Sequence, residues 1–239
     1  MGNIKHKILV MSGKGGVGKT TIAVNLAYAL SEKGFKVGLL DADIHGPNAP
    51  KMLKLDNKKL TTKDNKIIPI NFSDNLKVIS MAFLLKEKDA AIWRGPMKHN
   101  VIKQFLEDVT WGKLDYLIVD LPPGTGDEAL SISQLLKDIT GTIIVSTPQE
   151  VALLDCIKSI DFSKKLNIPI LGLIENMSGE IFGKDGVEET AKKEKIPFLG
   201  RVELNAEIRK AGDKGTPLAT KELFNVISNK IQIICEKNE

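Results

Sequence analysis

The chain has 239 residues, and its 34 basic and 30 acidic residues give a net charge of only +4. These charges are interspersed, so they indicate no strong nucleic-acid surface, and no apolar run is long enough to span a membrane. Two cysteines without a CxxC spacing argue against a disulfide framework or a metal site within one chain. We expect one domain over residues 1–239, without a signal segment and located in the cytoplasm.

Apolar runs alternate with helical patterns along the chain. This alternation predicts a three-layer α/β fold, in which a mostly parallel sheet is covered by helices on both faces. The stretch 66–81 contains short β-like pieces and predicts an edge hairpin. Ligands of such folds bind at the carboxyl ends of the strands. The predicted strands are 8–11, 37–40, 116–121, 142–146 and 170–174, and the predicted helices are 19–33, 97–109, 128–138, 150–166, 186–194 and 220–235.

A glycine-rich loop follows the first predicted strand directly and matches GxxxxGK[ST]. Glycines allow backbone N–H groups to turn towards phosphates, and the start of the next helix favours anions. Lys19 would contact the β and γ phosphates, and the Thr20 hydroxyl would ligate Mg²⁺. An incidental glycine-rich turn is the alternative, which the flanking strand and helix disfavour. The predicted nucleotide-binding residues are Gly13, Lys14, Gly15, Gly16, Val17, Gly18, Lys19, Thr20 and Thr21.

Lys14 follows the first glycine of this loop, where the general motif needs no lysine. The string KGGVGKTT resembles the deviant phosphate loop of the family that includes MinD, ParA and the nitrogenase iron protein. The resemblance implies the P-loop NTPase fold of that family and a homodimer around the nucleotide. It also implies that Lys14 reaches the partner's nucleotide and acts in catalysis together with Lys19. A solvated loop charge is the simpler interpretation of Lys14.

Acidic residues end two further predicted strands. Asp41 and Asp43 are two residues apart near the end of strand 37–40, and Asp120 ends an apolar strand in the Walker B form. The family resemblance implies that Asp43 orients or activates the attacking water and that Asp41 supports Mg²⁺ through water; both could instead be turn residues. Asp120 would hold Mg²⁺. The segment 121–127 could rearrange when the γ-phosphate leaves, which is the basis of a switch.

Four strings are informative together: DADIHGPN (41–48), WRGPM (93–97), DLPPGTGD (120–127) and ENMS (175–178). They resemble the Mrp/ApbC family of ATP-dependent iron–sulfur cluster carriers, over about residues 6–220. This resemblance implies that Asn176 hydrogen-bonds the nucleotide base, although an Asn at a strand end can also cap a turn. Trp93 suggests either a buried side chain beside a Gly-Pro turn or a dimer contact.

One part of the family pattern is missing. Members carry CxxC shortly after the Asn-Met-Ser segment, and two subunits pool these cysteines to hold one cluster. Here Ser178 is followed by GEIFG, so the usual cluster ligands are absent. We expect Cys156, on a helical pattern, to be a small buried side chain. We expect Cys235 to lie in a frayed C-terminal tail.

The motifs together predict an ATPase with ATP and Mg²⁺ as its ligands, a dimeric switch that serves iron–sulfur cluster assembly or transfer to apoproteins. A partner would supply cluster ligands. The alternative is a MinD/ParA-like positioning or partition ATPase of the same fold, which would act on a membrane or DNA. A third class, a small-molecule synthase, lacks a recognisable substrate pocket. A membrane helix or ordinary core packing would explain the C-terminal apolar stripe of Leu223, Phe224, Ile227, Ile231 and Ile234.

Overall fold

The computed structural model describes residues 3–85, 102–103, 105–217 and 221–237. Of the predicted helix 97–109, residues 102–103 and 105–107 are helical, and residues 97–101 and 104 lie outside the described residues. The string 93–97 also lies outside them. The strands are β1 (Ile4–Met11), β2 (Val37–Asp41), β3 (Thr61–Lys63), β4 (Lys66–Ile68), β5 (Ile70–Asn71), β6 (Leu76–Ser80), β7 (Leu114–Asp120), β8 (Gly141–Ser146), β9 (Ile170–Ser178) and β10 (Phe198–Glu203). The helices are α1 (Lys19–Glu32), α2 (Ala49–Met52), α3 (Ala82–Leu85), α4 (Asp127–Leu135), α5 (Glu150–Lys165), α6 (Gly186–Glu194), α7 (Ala206–Lys214) and α8 (Lys221–Lys237).

Eight strands form one sheet in the order β10-β9-β8-β1-β7-β2-β6-β5. Neighbouring strands are parallel except for β5 and β6, so the predicted mostly parallel α/β fold is confirmed. The predicted edge hairpin is present as β5 and β6, but β6 also pairs in parallel with β2. β4 instead pairs with β3 in a separate two-stranded sheet. At the opposite edge, β10 pairs with β9 through two shifts of register.

Both faces of the sheet are buried, which explains the continuous apolar strands. In β1, Ile8 and Val10 belong to one hydrophobic core, and Leu9 and Met11 belong to the other. This alternation follows from the two-residue period of a strand. The first core contains apolar residues of α1 and α8, and the second contains those of α4, α5 and α6.

The C-terminal helix packs into the first of these cores. Phe224, Ile227 and Ile231 are fully buried, and the two other apolar stripe residues pack against the same core, so core packing explains the stripe. Cys235 is also buried there, because α8 continues to Lys237. The expectation that Cys235 lies in a frayed tail is therefore wrong. No helix within the described residues is both long enough and apolar enough to cross a membrane.

Candidate nucleotide-binding site

The phosphate loop joins β1 to α1 and depends on glycine in two ways. Gly16 and Gly18 have φ angles of 82° and 81°, which favour glycine. The loop is also closely packed: a Cβ atom on Gly13 would lie 2.0 Å from the Asp155 carbonyl oxygen, and one on Gly18 would lie 2.1 Å from Asn176 Nδ2. α5 and the end of β9 therefore fix the loop from two sides.

Asp120 brings the two polar residues at the start of α1 together. Lys19 Nζ donates to Asp120 Oδ1 at 2.6 Å, and Thr20 Oγ1 donates to Asp120 Oδ2 at 2.6 Å. Lys19 and Asp120 are buried, so this is a charge-assisted contact in a poorly hydrated place. Burial raises the pKa of Asp120, whereas the Lys19 ammonium and the two hydrogen bonds act in the opposite direction. The arrangement presents an ammonium, a hydroxyl and a carboxylate below the phosphate loop.

Asp41 lies beside Asp120 in the neighbouring strand and closes the loop that follows β2. The two acids are register partners between β2 and β7. Asp41 Oδ2 accepts from Ser80 Oγ at 2.9 Å and from the Ala49 N–H at 3.1 Å, and Oδ1 accepts from the Asp43 N–H at 3.3 Å. Burial raises the pKa of Asp41 to about 7, and the charge of Asp120 adds to the increase. Asp41 therefore holds both ends of the loop 42–48.

Asp43 lines the cavity next to the phosphate loop. Its Oδ1 atom accepts the N–H groups of His45 at 3.0 Å and Gly46 at 3.1 Å, which forms a compact turn. The His45 ring reaches Glu128 in the first turn of α4, with 3.1 Å between Nε2 and Oε1. The turn thus presents a carboxylate to the cavity while its outer side contacts the segment after β7.

Lys14 lies at the half-buried beginning of the phosphate loop. Its carbonyl oxygen accepts from Ser12 Oγ at 2.9 Å, which fixes the backbone. Among the described residues its ammonium group has no hydrogen-bond or ion-pair partner. The structure therefore places this lysine at the loop, separate from the Lys19 and Asp120 pair.

Asn176 at the end of β9 supports the phosphate loop directly. Its Nδ2 atom donates to the Val17 carbonyl oxygen at 2.8 Å, and the side chain is buried. Asn176 and Met177 also line the cavity. The base contact implied for Asn176 stays a prediction, but the loop contact gives this residue a role that the sequence did not indicate.

A cavity of about 650 Å³ extends from the phosphate loop to α2 on one side and to α7 on the other. Its volume suits a nucleotide-sized ligand. The α7 wall was not predicted from the sequence, because β10 and α7 were both missed. If residues 198–203 had been predicted as a strand, the residues after position 203 would have been expected at the carboxyl ends of the strands, where ligands bind. The wall consists of Glu203, Leu204, Asn205, Ile208, Arg209, Gly212 and Asp213.

The turn after β9, where the resemblance expects CxxC, is a short hairpin without sulfur ligands. Gly179 and Gly183 exchange backbone hydrogen bonds of 2.9 and 2.8 Å, and Ile181 at the tip is 78% exposed. The base is anchored by the buried Glu175 carboxylate, which accepts from Arg201 Nε at 2.6 Å. The hairpin is thus held by backbone and ionic contacts to its base.

Both cysteines are buried in the structure, in different hydrophobic cores. Cys156 is a small core residue, as predicted, and burial raises the pKa of its thiol to about 12. Within the described ranges, no group of three or more His, Cys, Asp or Glu side chains could hold a metal ion. Among the residues that the structure describes, neither the two cysteines nor the hairpin after β9 offers a set of cluster ligands.

Comparison with known protein families and curated relatives gives a consistent result. A family model described as ParA, NUBPL iron-transfer P-loop NTPase, matches residues 3–238. The chain is 49% identical to an iron–sulfur cluster carrier protein of Methanocaldococcus jannaschii, with 100% of this chain and 88% of the relative covered. It is 46% identical to a carrier protein of the same name from Saccharolobus solfataricus, with 100% and 87% covered.

Solved structures share the same fold. A nucleotide-binding protein from Archaeoglobus fulgidus in complex with ADP is 36% identical and has a TM-score of 0.78, with 92% of this chain and 88% of that chain covered. MinD from Pyrococcus horikoshii complexed with Mg-ADP is 25% identical, with a TM-score of 0.74 and coverage of 98% and 95%. The higher identity to cluster carriers than to MinD makes the positioning alternative the less supported one.

Proposed function

Because the chain belongs to the family of NUBPL iron-transfer P-loop NTPases, as its motifs predicted, we propose that it binds and hydrolyses ATP with Mg²⁺ and couples this cycle to iron–sulfur cluster delivery. The observation that carries the ATPase proposal is the contact of Asp120 with both Lys19 and Thr20, at 2.6 Å each, beside a nucleotide-sized cavity. This arrangement unites the ammonium, hydroxyl and carboxylate that phosphoryl transfer needs.

The phosphate loop binds the triphosphate through its inward backbone N–H groups, and Lys19 contacts the β and γ phosphates. The Thr20 hydroxyl and the Asp120 carboxylate fit Mg²⁺, since this ion accepts few protein ligands and keeps water and phosphate oxygens as the others. Mg²⁺ held by these two side chains would supply positive charge that offsets the charge of the phosphates. Asp41, beside Asp120, supports this site through water in addition to closing the loop 42–48.

Asp43 orients the attacking water and accepts its proton. Its Oδ1 atom is engaged by the turn, and its carboxylate lines the cavity beside the phosphate loop. A carboxylate held in this way can act as a general base. Asn176 holds the loop through Val17 and contacts the nucleotide base from the same wall.

Two copies of the chain form a homodimer around nucleotide, in which Lys14 reaches the nucleotide of the partner. The ammonium group of Lys14 has no partner among the residues that the structure describes, so a trans contact breaks no existing ion pair. A cation at that place would stabilise charge that develops during phosphoryl transfer.

The iron–sulfur cluster is the cargo of this cycle, and other proteins supply its cysteine ligands. The buried Cys156 and Cys235 and the sulfur-free hairpin after β9 support this division of tasks. The clients are apoproteins that receive the cluster or assembly factors that provide it.

The test separates nucleotide chemistry from cluster delivery. Calorimetry with millimolar Mg·ATP and measurement of phosphate release should detect binding and slow turnover, and the absence of any heat of binding would overturn the ATPase proposal. Anaerobic incubation with iron and sulfide should leave the chain alone without cluster absorbance. Adding a cluster-loaded donor and an apoprotein should give ATP-dependent transfer, and equal transfer with and without ATP would contradict the delivery proposal.

A further inference from the structure

The loop 42–48, which carries Asp43, is fastened at its two ends. The Ala42 N–H donates to the Asp120 carbonyl oxygen at 3.0 Å and so extends the β2–β7 pairing by one bond. Asp41 accepts the N–H groups of Asp43 and Ala49, as described above. These contacts fix where the loop leaves β2 and where it enters α2, but they do not act on its outer side.

The segment 121–127 after β7 is fastened in the same manner. The Leu121 N–H donates to the Val10 carbonyl oxygen at 3.0 Å, and the Gly124 N–H donates to the Ser12 carbonyl oxygen at 2.8 Å. This segment is therefore attached to β1 and to the start of the phosphate loop. α4 begins immediately after it, at Asp127.

A side-chain contact joins the loop 42–48 to the first turn of α4, directly after the segment 121–127. His45 Nε2 lies 3.1 Å from Glu128 Oε1, and the ring donates this hydrogen bond when Nε2 carries the proton. The His45 backbone N–H simultaneously donates to Asp43 Oδ1. One residue therefore connects the Asp43 carboxylate to the first turn of α4.

We propose that His45 and Glu128 are positioning residues, which hold the Asp43 loop against the segment after β7 in the geometry needed for hydrolysis. This inference rests on the ATP hydrolysis proposed above. A loop fixed only at its ends lets its tip move, and a small misplacement of a catalytic group reduces the rate of the chemical step more than ligand binding. The contact between His45 and Glu128 restricts that movement.

Removing either side chain should lower kcat about three- to fivefold, the range expected for a partly exposed contact of this kind. The KM for ATP should stay within about twofold, since neither side chain lines the cavity. The double variant His45→Ala/Glu128→Ala should be less slow than the product of the two single effects, because both substitutions remove the contact that the two side chains share.

Conservative variants distinguish positioning from general structural support. Glu128→Gln keeps an Oε1 acceptor, and His45→Gln places an amide donor near the position of Nε2. Both should restore kcat towards the wild-type value. Glu194→Ala is the matched control: it removes an exposed 2.8 Å contact with Lys164, away from the cavity, and should leave kcat unchanged. Thermal unfolding of every variant reports stability separately.

The experiment is steady-state phosphate release with wild-type protein and these six variants at saturating and limiting Mg·ATP. Slow alanine variants, restored glutamine variants and a non-multiplicative double variant support the proposal. Alanine variants with wild-type kcat, or glutamine variants as slow as the alanine ones, overturn it while the ATPase function stands. Wild-type protein without turnover would overturn both proposals.

Discussion

The phosphate-loop end of the sheet and the hairpin after β9 lie at the same edge but depend on different contacts. At the phosphate loop, buried charges meet at 2.6 Å and glycines leave no room for a side chain. At the hairpin, only the base is anchored, and the tip exposes Ile181. Substitutions at the hairpin tip are therefore expected to remove few contacts, whereas substitutions at the phosphate loop remove a direct contact. The phosphate loop and the hairpin therefore depend on separate sets of contacts.

The largest effect is expected from Lys19→Ala, which removes the lysine of the phosphate loop. Loss of a buried charged donor should weaken ATP binding on the order of 1,000-fold. Calorimetry measures the affinity, and Lys158→Ala, which removes an exposed lysine of α5, is the control with unchanged affinity. Circular dichroism verifies folding, because Asp120 retains only its Thr20 hydrogen bond. ATP binding at wild-type affinity would contradict the role of Lys19.

Substitution of Asp43 separates chemistry from loop structure. Asp43→Ala should lower kcat about 100-fold while ATP binding persists, because a general base is lost. Asp43→Asn keeps an acceptor for the His45 and Gly46 N–H groups but cannot accept a proton in the same way. We expect both variants to be slow in single-turnover phosphate release. An active Asn variant beside an inactive Ala variant would reduce Asp43 to a structural residue.

A smaller loss is expected for Lys14→Ala, about tenfold in turnover at protein concentrations that favour the dimer. The effect is below that of a fully buried donor because Lys14 is half-buried and its charge is partly screened. Turnover should be measured against protein concentration, together with nucleotide-dependent light scattering. Full activity of this variant would show that the trans contact does not operate.

The smallest effect is expected for Cys156→Ala and Cys235→Ala, because these residues lie in the two hydrophobic cores and line neither the cavity nor the hairpin. In native protein at pH 8, neither thiol should react with a thiol-specific reagent, since both are buried and the pKa of Cys156 is raised to about 12. Denatured protein should react at both. ATP turnover and cluster transfer should not change in either variant. If one cysteine variant loses cluster transfer, that cysteine takes part in binding the cluster.

The sequence predicted the parts of the site whose chemistry depends on local spacing. Lys19, Thr20 and Asp120 follow from a loop motif and an acid at a strand end, and the structure brings these three together. The contact of Asn176 with Val17 could not be predicted, because it joins residues 159 positions apart. Only the folded sheet shows this proximity.

The missed elements also have physical reasons. β10 was missed because Gly200 and Arg201 interrupt its apolar residues, although Arg201 forms the ionic anchor of the neighbouring hairpin. α7 was missed because Ile208 is its one large apolar residue and none of its residues is buried, so too few apolar residues mark the helical period. The position of Cys235 depends on packing of α8 into the first core, which local propensity does not encode.

The two edges of the sheet have a consequence for how copies of the chain can associate. β5 offers only two residues for further backbone pairing, and β10 has an irregular register with its neighbour. Short or distorted edge strands oppose the addition of a foreign strand, and hence amyloid-like polymerisation. We therefore expect the sheet to resist open-ended growth when the protein is concentrated.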